Sequence, residues 1–96
     1  MSPDKKNKLN KLRVKLDKVD DRLLKLFKNR TKLVKKVLAL KEYKKQIVDK
    51  KRIKIILNRI KKKSLAEKID TKVTNYIWTN MIKAYIDYEK RNFKKK

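Results

Sequence analysis

The chain has 96 residues, a formal net charge of +23 and no cysteine, histidine or glycine. These absences exclude disulfides, thiolate or imidazole metal ligands, catalysis by Ser-His or Cys-His pairs, and glycine-rich phosphate loops. At this length we expect one small domain whose own core is marginal, so that a partner chain would help to bury its apolar surface.

The sequence contains no clear signal for membrane insertion or secretion. No apolar run approaches the roughly 18 residues of a membrane span, and the N-terminal segment MSPDKKNK lacks the apolar core of a signal peptide. We therefore expect a cytoplasmic protein with no membrane partner.

The large positive charge by itself suggests a polyanionic ligand. However, the 33 cations comprise 27 lysines and 6 arginines, and the lysines are spread along the chain, with KKK runs only at 61–63 and 94–96. A solvated, lysine-rich surface explains most of this pattern. Such a surface still attracts small anions and speeds their arrival.

The first predicted helix covers about residues 5–41. Pro3 and Asp4 suit a helix N-terminus, and apolar residues then recur at alternating spacings of three and four, which is typical of one helix face. These positions, called the apolar seam below, are Leu9, Leu12, Leu16, Val19, Leu23, Leu26, Leu33, Val37 and Leu40.

The length of this helix predicts a partner. About 35 helical residues span roughly 50 Å, which far exceeds the size of a compact domain of this length. Two long helices packed along each other in a homodimer would bury the seam most economically.

Two shorter helices are predicted downstream. The segment 42–48 interrupts the periodicity, and Asp49 is a candidate N-cap for a second helix over about 50–63, whose apolar residues recur at i, i+3, i+4 and i+7. A third helix over about 68–91 carries a broad apolar face. Since no strand-like alternation appears, the predicted fold is all-α, with a single domain over residues 1–96.

The apolar seam has one gap, which falls at Arg30. Lys41 lies eleven residues on, about 20° around and about 16 Å along a helix, so both can border one elongated pocket. Arg13 is about 25 Å from Arg30 on the same helix. It could reach that pocket only from a partner chain.

Three further polar residues are candidates for the same site. Asp49 and Arg52 lie at the start of the second helix, and Glu89 continues the stripe formed by Trp78, Ile82 and Tyr85. Because lysine is used wherever only a charge is needed, an arginine suggests the planar fork that binds a carboxylate through two hydrogen bonds. The alternatives are an ion-paired surface role for each arginine, simple N-capping for Asp49, and a salt bridge to a lysine for Glu89.

The segments LRVKLDKVDDRLLKLFKNRTKLVKKVLALK and IVDKKRIKIILNRI resemble the all-helical chorismate mutases. That family carries L-R-x-x-(I/L)-D-x-(I/V)-D at the start of a long first helix, followed by a second arginine and a lysine. The resemblance covers about residues 9–89. It implies an intertwined homodimer of three-helix chains with two active sites, each built from residues of both chains.

The resemblance assigns the arginines to the binding of substrate carboxylates. Arg30 would bind one carboxylate from the long helix, and Arg13 would be donated to the site by the partner chain. Arg52 would face the second carboxylate or orient its neighbours.

The resemblance also assigns roles at the reacting end of the substrate. Lys41 would hold the ether oxygen of the enolpyruvyl group and a carboxylate, and Asp49 would contact the region of the substrate hydroxyl. Glu89 falls where the family has a Gln or Glu that donates to the ether oxygen. Because a carboxyl group donates only when protonated, activity should fall as rising pH removes the proton of Glu89.

The implied reaction is the Claisen rearrangement of chorismate to prephenate, on the route to phenylalanine and tyrosine. It is unimolecular and needs no cofactor, and we expect none. The protein would hold the flexible dianion in its reactive conformer and stabilise charge on the breaking ether bond.

Two positions depart from the family pattern and leave an alternative open. Ile53 replaces a glutamate that commonly binds the substrate hydroxyl, and Tyr85, a predicted substrate contact, stands where Ser or Thr is frequent. Isochorismate pyruvate lyases, a related branch of the same fold, tolerate both features. A lyase is therefore the second interpretation.

A basic helical dimer that binds nucleic acid is the alternative from another class of function. It predicts affinity that falls steeply with the logarithm of salt concentration. We expect only weak, nonspecific DNA binding under either interpretation and no specific nucleic-acid partner.

Overall fold

A computed structural model describes residues 1–94. In chain order it contains α1 (Pro3–Leu40), one 3₁₀ turn (Lys44–Gln46), α2 (Lys50–Ala66) and α3 (Thr71–Asn92). The prediction of an all-α chain with three helices, the first of them long, is confirmed. The last two residues of the predicted domain and of its C-terminal KKK run lie outside the described residues.

The helix starts follow from local capping. Pro3 has the fixed φ that suits the first turn of a helix, and Asp4 in that turn pairs with Lys8 at 3.4 Å. The Asp49 carboxylate accepts from the Arg52 N–H at 3.0 Å and caps α2, as predicted. Asp70 caps α3 in the same way.

The turn between α2 and α3 contains a non-glycine residue, Lys68, with a positive φ angle. The Lys68 N–H donates to the Leu65 carbonyl at 3.2 Å, and the Ile69 N–H donates to the Ser64 carbonyl at 2.8 Å. These two bonds form a Schellman motif, whose central residue adopts the left-handed conformation. Lys68 has φ 57°, in a chain that has no glycine to place there.

The chain divides into two compact units, Met1–Leu33 and Val34–Lys96. The first unit consists of the N-terminal part of α1, and none of its residues is fully buried. Apart from the half-buried Leu9, its share of the apolar seam faces solvent in the single chain, with Leu16 61% exposed and Leu23 45% exposed.

Every buried residue among residues 1–94 belongs to the second unit. Its apolar core contains Leu38, Ile47, Ile60 and Ile82, and α2 packs against α3. In this packing the Ser64 hydroxyl donates to the Ile60 carbonyl at 2.7 Å and lies 2.8 Å from the Thr74 hydroxyl.

Those buried partners also explain the end of α2. The sequence predicted that this helix stops near residue 63, before the segment SLAEKID, whereas it continues to Ala66. Ser64 is compatible with the helix because its hydroxyl is satisfied within the core. No helix in the described part of the chain is both long and apolar enough to cross a membrane.

Candidate active site

The centre of the candidate site is an ion pair between the end of α1 and the last turns of α3. The Lys41 Nζ donates to the Glu89 Oε1 at 2.9 Å. Lys41 follows the last residue of α1, and its N–H donates to the Leu38 carbonyl at 3.1 Å. Both side chains are largely withdrawn from solvent, with 19% of the Lys41 side chain and 9% of the Glu89 side chain exposed.

Because the Lys41–Glu89 pair is buried, the positions of the two side chains are tightly fixed. A buried charge needs a partner, because leaving it unpaired carries a large desolvation penalty. Each residue therefore fixes the other. Of the three N–H donors on the Lys41 ammonium, Glu89 takes one, which leaves donors that can turn towards a ligand.

An open cleft lies beside Lys41. It has a volume of about 560 Å³ and is lined by Lys41, Gln46, Val48, Asp49 and Lys50. The cleft joins the ordered loop after α1 to the first residues of α2. Its lining offers two ammonium groups, a carboxylate and an amide, which are groups that suit a ligand with both acidic and hydroxyl functions.

The loop that shapes this cleft is organised by Gln46. The Gln46 Oε1 accepts from the N–H groups of Glu42 at 2.8 Å and Tyr43 at 2.9 Å, which closes the 3₁₀ turn. Ile47, which is only 3% exposed, anchors the turn in the core. From the sequence, this segment was interpreted only as an interruption of the apolar periodicity. The signal for its role is the spacing of Gln46, which lies three residues after Tyr43 as in a capping box.

Asp49 and Arg52 lie together at the start of α2. Asp49 lines the cleft while one of its oxygens caps the helix. The contact with Arg52 is made to the backbone N–H, and the Arg52 side chain is exposed. N-capping is therefore a complete structural role for Asp49, to which ligand contact through its second oxygen can be added.

Arg13 and Arg30 both belong to the N-terminal unit and to the same helix. Arg13 is exposed, whereas Arg30 is half-buried and the Nη1 atom of its guanidinium is shielded from solvent. Seventeen residues of helix separate the two side chains by about 25 Å, so within one chain they do not meet.

The apolar stripe on α3 leads to Glu89. Ile82 is buried, and Trp78 and Tyr85 are half-buried. The Tyr85 ring meets the Tyr88 ring edge-to-face, with centroids 6.4 Å apart. Ile53 on α2 is also half-buried and cannot accept a hydrogen bond.

This arrangement suits the binding of a small organic anion. The structure brings Lys41 and Glu89 into contact and places Asp49 on the same cleft as Lys41. Among the described residues, no cluster of three or more acidic side chains is arranged to hold a metal ion. The chemistry available is hydrogen bonding and charge stabilisation by an ammonium whose position is fixed.

Comparison with known proteins identifies the family. The family model for chorismate mutase type II matches residues 12–90, which covers most of the chain. No curated protein and no solved structure matches the chain significantly. The chain therefore belongs to the chorismate mutase type II family, whose members are isomerases.

Proposed function

We propose that this protein converts chorismate to prephenate as a homodimer, with residues 1–96 forming one functional domain. The observation that carries the proposal is the buried Lys41–Glu89 pair at 2.9 Å beside a cleft, in a chain of the chorismate mutase type II family. The pair provides a positioned cation at the one place where the reaction develops negative charge.

The reaction is a unimolecular rearrangement in which the ether C–O bond breaks while a C–C bond forms. The enzyme must hold two ends of a flexible dianion close together, and this ordering can supply a large part of the rate enhancement. Arg30 binds one carboxylate, and Arg52 binds or orients the second. Arg13 of the partner subunit completes the cationic clamp.

Lys41 supplies electrostatic stabilisation. Its ammonium donates to the ether oxygen as that oxygen gains electron density, and it also contacts a carboxylate. Fixed donors aimed at a developing charge act strongly where water is excluded. Glu89 fixes Lys41 through the observed hydrogen bond.

Glu89 has a second role when it carries a proton. In the structure the Glu89 carboxylate accepts from Lys41, whereas the family resemblance implied a donor to the ether oxygen. The two roles belong to different protonation states, since a carboxyl group donates only when protonated.

Asp49 and Tyr85 complete the proposed substrate contacts. The Asp49 oxygen that is not used in capping α2 faces the region of the substrate hydroxyl. Tyr85 borders the stripe that ends at Glu89. Ile53 gives no polar contact there, so the hydroxyl is held more weakly than a glutamate at this position would hold it.

The homodimer is supported by the exposure of the apolar seam. Leu12, Leu16, Leu26 and Leu33 are each more than half exposed in the single chain, although they repeat at the spacing of a helix–helix interface. Val73 on α3 is about half exposed as well. Burial by a second copy would remove this surface from water and deliver the partner's Arg13 to the site.

The test is the loss of chorismate absorbance on adding purified protein, with prephenate identified as the product. Lys41→Gln should lower kcat/KM by at least about 10²-fold, because the amide can still bond to Glu89 but carries no charge. Lys36→Gln removes an exposed lysine of α1 and should leave kcat/KM within about twofold. Absence of turnover by wild-type protein would refute the proposal.

A further inference from the structure

Helix α2 is strongly and uniformly positive. Its sequence, KKRIKIILNRIKKKSLA, contains eight cations and no acid. The ion pairs found among residues 1–94 join Lys8 to Asp4, Lys41 to Glu89, and Arg91 to Asp87, and none of them involves a residue of α2. The charge of this helix is therefore not neutralised within the described part of the chain.

This arrangement has a cost for the fold. Lys50 and Lys54 are four residues apart, as are Arg59 and Lys63, and like charges at this spacing repel on a helix surface. Lys50 and Lys51 also stand at the helix N-terminus, where the helix dipole is already positive and an acid would be favourable. The clustering of cations therefore lowers the stability of α2, which indicates that the positive electrostatic field around this helix has a function.

Half of the cations of α2 lie at its N-terminal end, where the helix meets the candidate active site. Lys50 lines the cleft that Lys41 borders, and Lys51 and Lys54 are exposed in the first turns of α2. The carboxylate of Asp49 is the nearest acid in sequence, and its Oδ1 is engaged as the N-cap. The positive end of the helix dipole adds to these charges at the same cleft.

We propose that Lys51 and Lys54, at the N-terminal end of α2, guide the dianionic substrate into the cleft by long-range attraction without contacting it in the bound state. This proposal rests on the proposed function, since it concerns capture of the same substrate. Clefts lined by one sign of charge raise the association rate of an opposite charge by about 10- to 10³-fold, and salt weakens this effect. The guiding charges act on kcat/KM, whereas kcat depends on the residues that touch the bound substrate.

Helix α2 is long enough to compare two lysine pairs that carry the same charge at different distances from the cleft. Lys51 and Lys54, called the mouth pair, follow Lys50, which lines the cleft, by one and four residues on the same helix. Lys62 and Lys63, called the distal pair, lie about 14–16 Å farther along the helix axis and are also exposed. The Debye length is about 30 Å at 0.01 M salt but about 8 Å at 0.15 M, so salt screens the distal pair before the mouth pair.

The experiment measures kcat and KM for chorismate at about 0.01 M and about 0.15 M potassium chloride. It compares wild-type protein with Lys51→Gln/Lys54→Gln and with Lys62→Gln/Lys63→Gln, which carry the same change in charge on the same helix. Circular dichroism and gel filtration of each protein at both salt concentrations check that fold and association are unchanged.

We expect wild-type kcat/KM to fall about fivefold or more between the two salt concentrations, while kcat stays within about twofold. At the higher salt concentration the mouth-pair variant should lose about twofold to threefold in kcat/KM, and the distal-pair variant should match wild type. Equal effects of the two pairs at the higher salt, or a wild-type kcat/KM insensitive to salt, would overturn the guiding role while the mutase proposal stands. No turnover under any condition would overturn both.

Discussion

Lys41 and Glu89 are 48 residues apart in sequence, yet their side chains form a hydrogen-bonded ion pair of 2.9 Å in the least exposed part of the candidate site. The pair joins the end of the long helix to the last turns of α3. The bond fixes both side chains before the substrate binds. A preorganised site gains most of its catalytic benefit from such ordering, because its charged groups need not reorient during the reaction.

Substitution of Glu89 tests its two proposed roles. Glu89→Gln should retain turnover at neutral pH, because the amide can donate to the ether oxygen and its oxygen can still accept from Lys41. Glu89→Ala should lower kcat/KM by about 10²-fold, since it removes both interactions. Full turnover by Glu89→Ala would remove Glu89 from the proposed site.

Arg30 provides a second test, with a matched control on the same helix. Arg30→Ala should lower kcat/KM by about 10²- to 10³-fold, since it removes the fork that we propose binds a carboxylate in the transition state. Arg22→Ala changes an exposed arginine outside the seam and should have little effect. Gel filtration should show the same association state for both variants.

The Arg30→Ala and Arg22→Ala variants also distinguish the mutase hypothesis from the hypothesis of nucleic-acid binding. If phosphate binding were the main function, Arg30→Ala would be mild, because one of many phosphate contacts would be lost. Both variants would then weaken DNA binding by similar factors. Retention of full mutase activity by Arg30→Ala would remove Arg30 from the proposed site.

Neighbouring leucines on α1 test the homodimer. Leu23 belongs to the apolar seam and Leu24 does not, yet both are exposed in the single chain, at 45% and 67%. Leu23→Glu should dissociate the dimer and abolish turnover, because it would bury an unpaired charge at the interface. Leu24→Glu should leave the dimer intact. Analytical ultracentrifugation measures both, and dissociation by neither variant would argue against the seam as the interface.

The sequence predicted those features that depend on neighbouring residues. The apolar periodicity identified three helices, and Asp49 was recognised as an N-cap because the capping bond spans only three residues. The pairing of Lys41 with Glu89 could not be derived from spacing, since it depends on how α3 packs. The resemblance to the family placed both residues at one site, but it did not give the bond between them.

Other features were missed because tertiary contacts override local preference. Ser64 was read as part of a bridge between helices, whereas its hydroxyl is satisfied by Ile60 and Thr74 in the core. The Gln46 side chain organises the loop by accepting from the N–H groups of Glu42 and Tyr43. This role was missed because the segment was interpreted only as a break in the apolar periodicity. The left-handed turn at Lys68 carries no glycine to mark it.

The turn at Lys68 gives a prediction about stability. Lys68→Gly should stabilise the protein by about 1 kcal/mol, because a side chain at positive φ clashes with the following carbonyl and glycine does not. For a chain of this size the melting temperature should rise by about 4–8 °C at a fixed protein concentration. Lys68→Ala retains the Cβ atom and serves as the control. A gain of the same size in Lys68→Ala would show that loss of the charge, rather than relief of the turn, is responsible.

Substrate choice tests the two departures from the family pattern. We expect prephenate formation from chorismate to exceed pyruvate release from isochorismate, because the chain belongs to the chorismate mutase type II family. Ile53→Glu should lower the KM for chorismate about tenfold, since a carboxylate at this position can accept from the substrate hydroxyl and Ile53 cannot. Ile55→Glu adds the same charge at an exposed position of α2 and controls for electrostatic effects. Faster pyruvate release from isochorismate by the wild-type protein would favour the lyase.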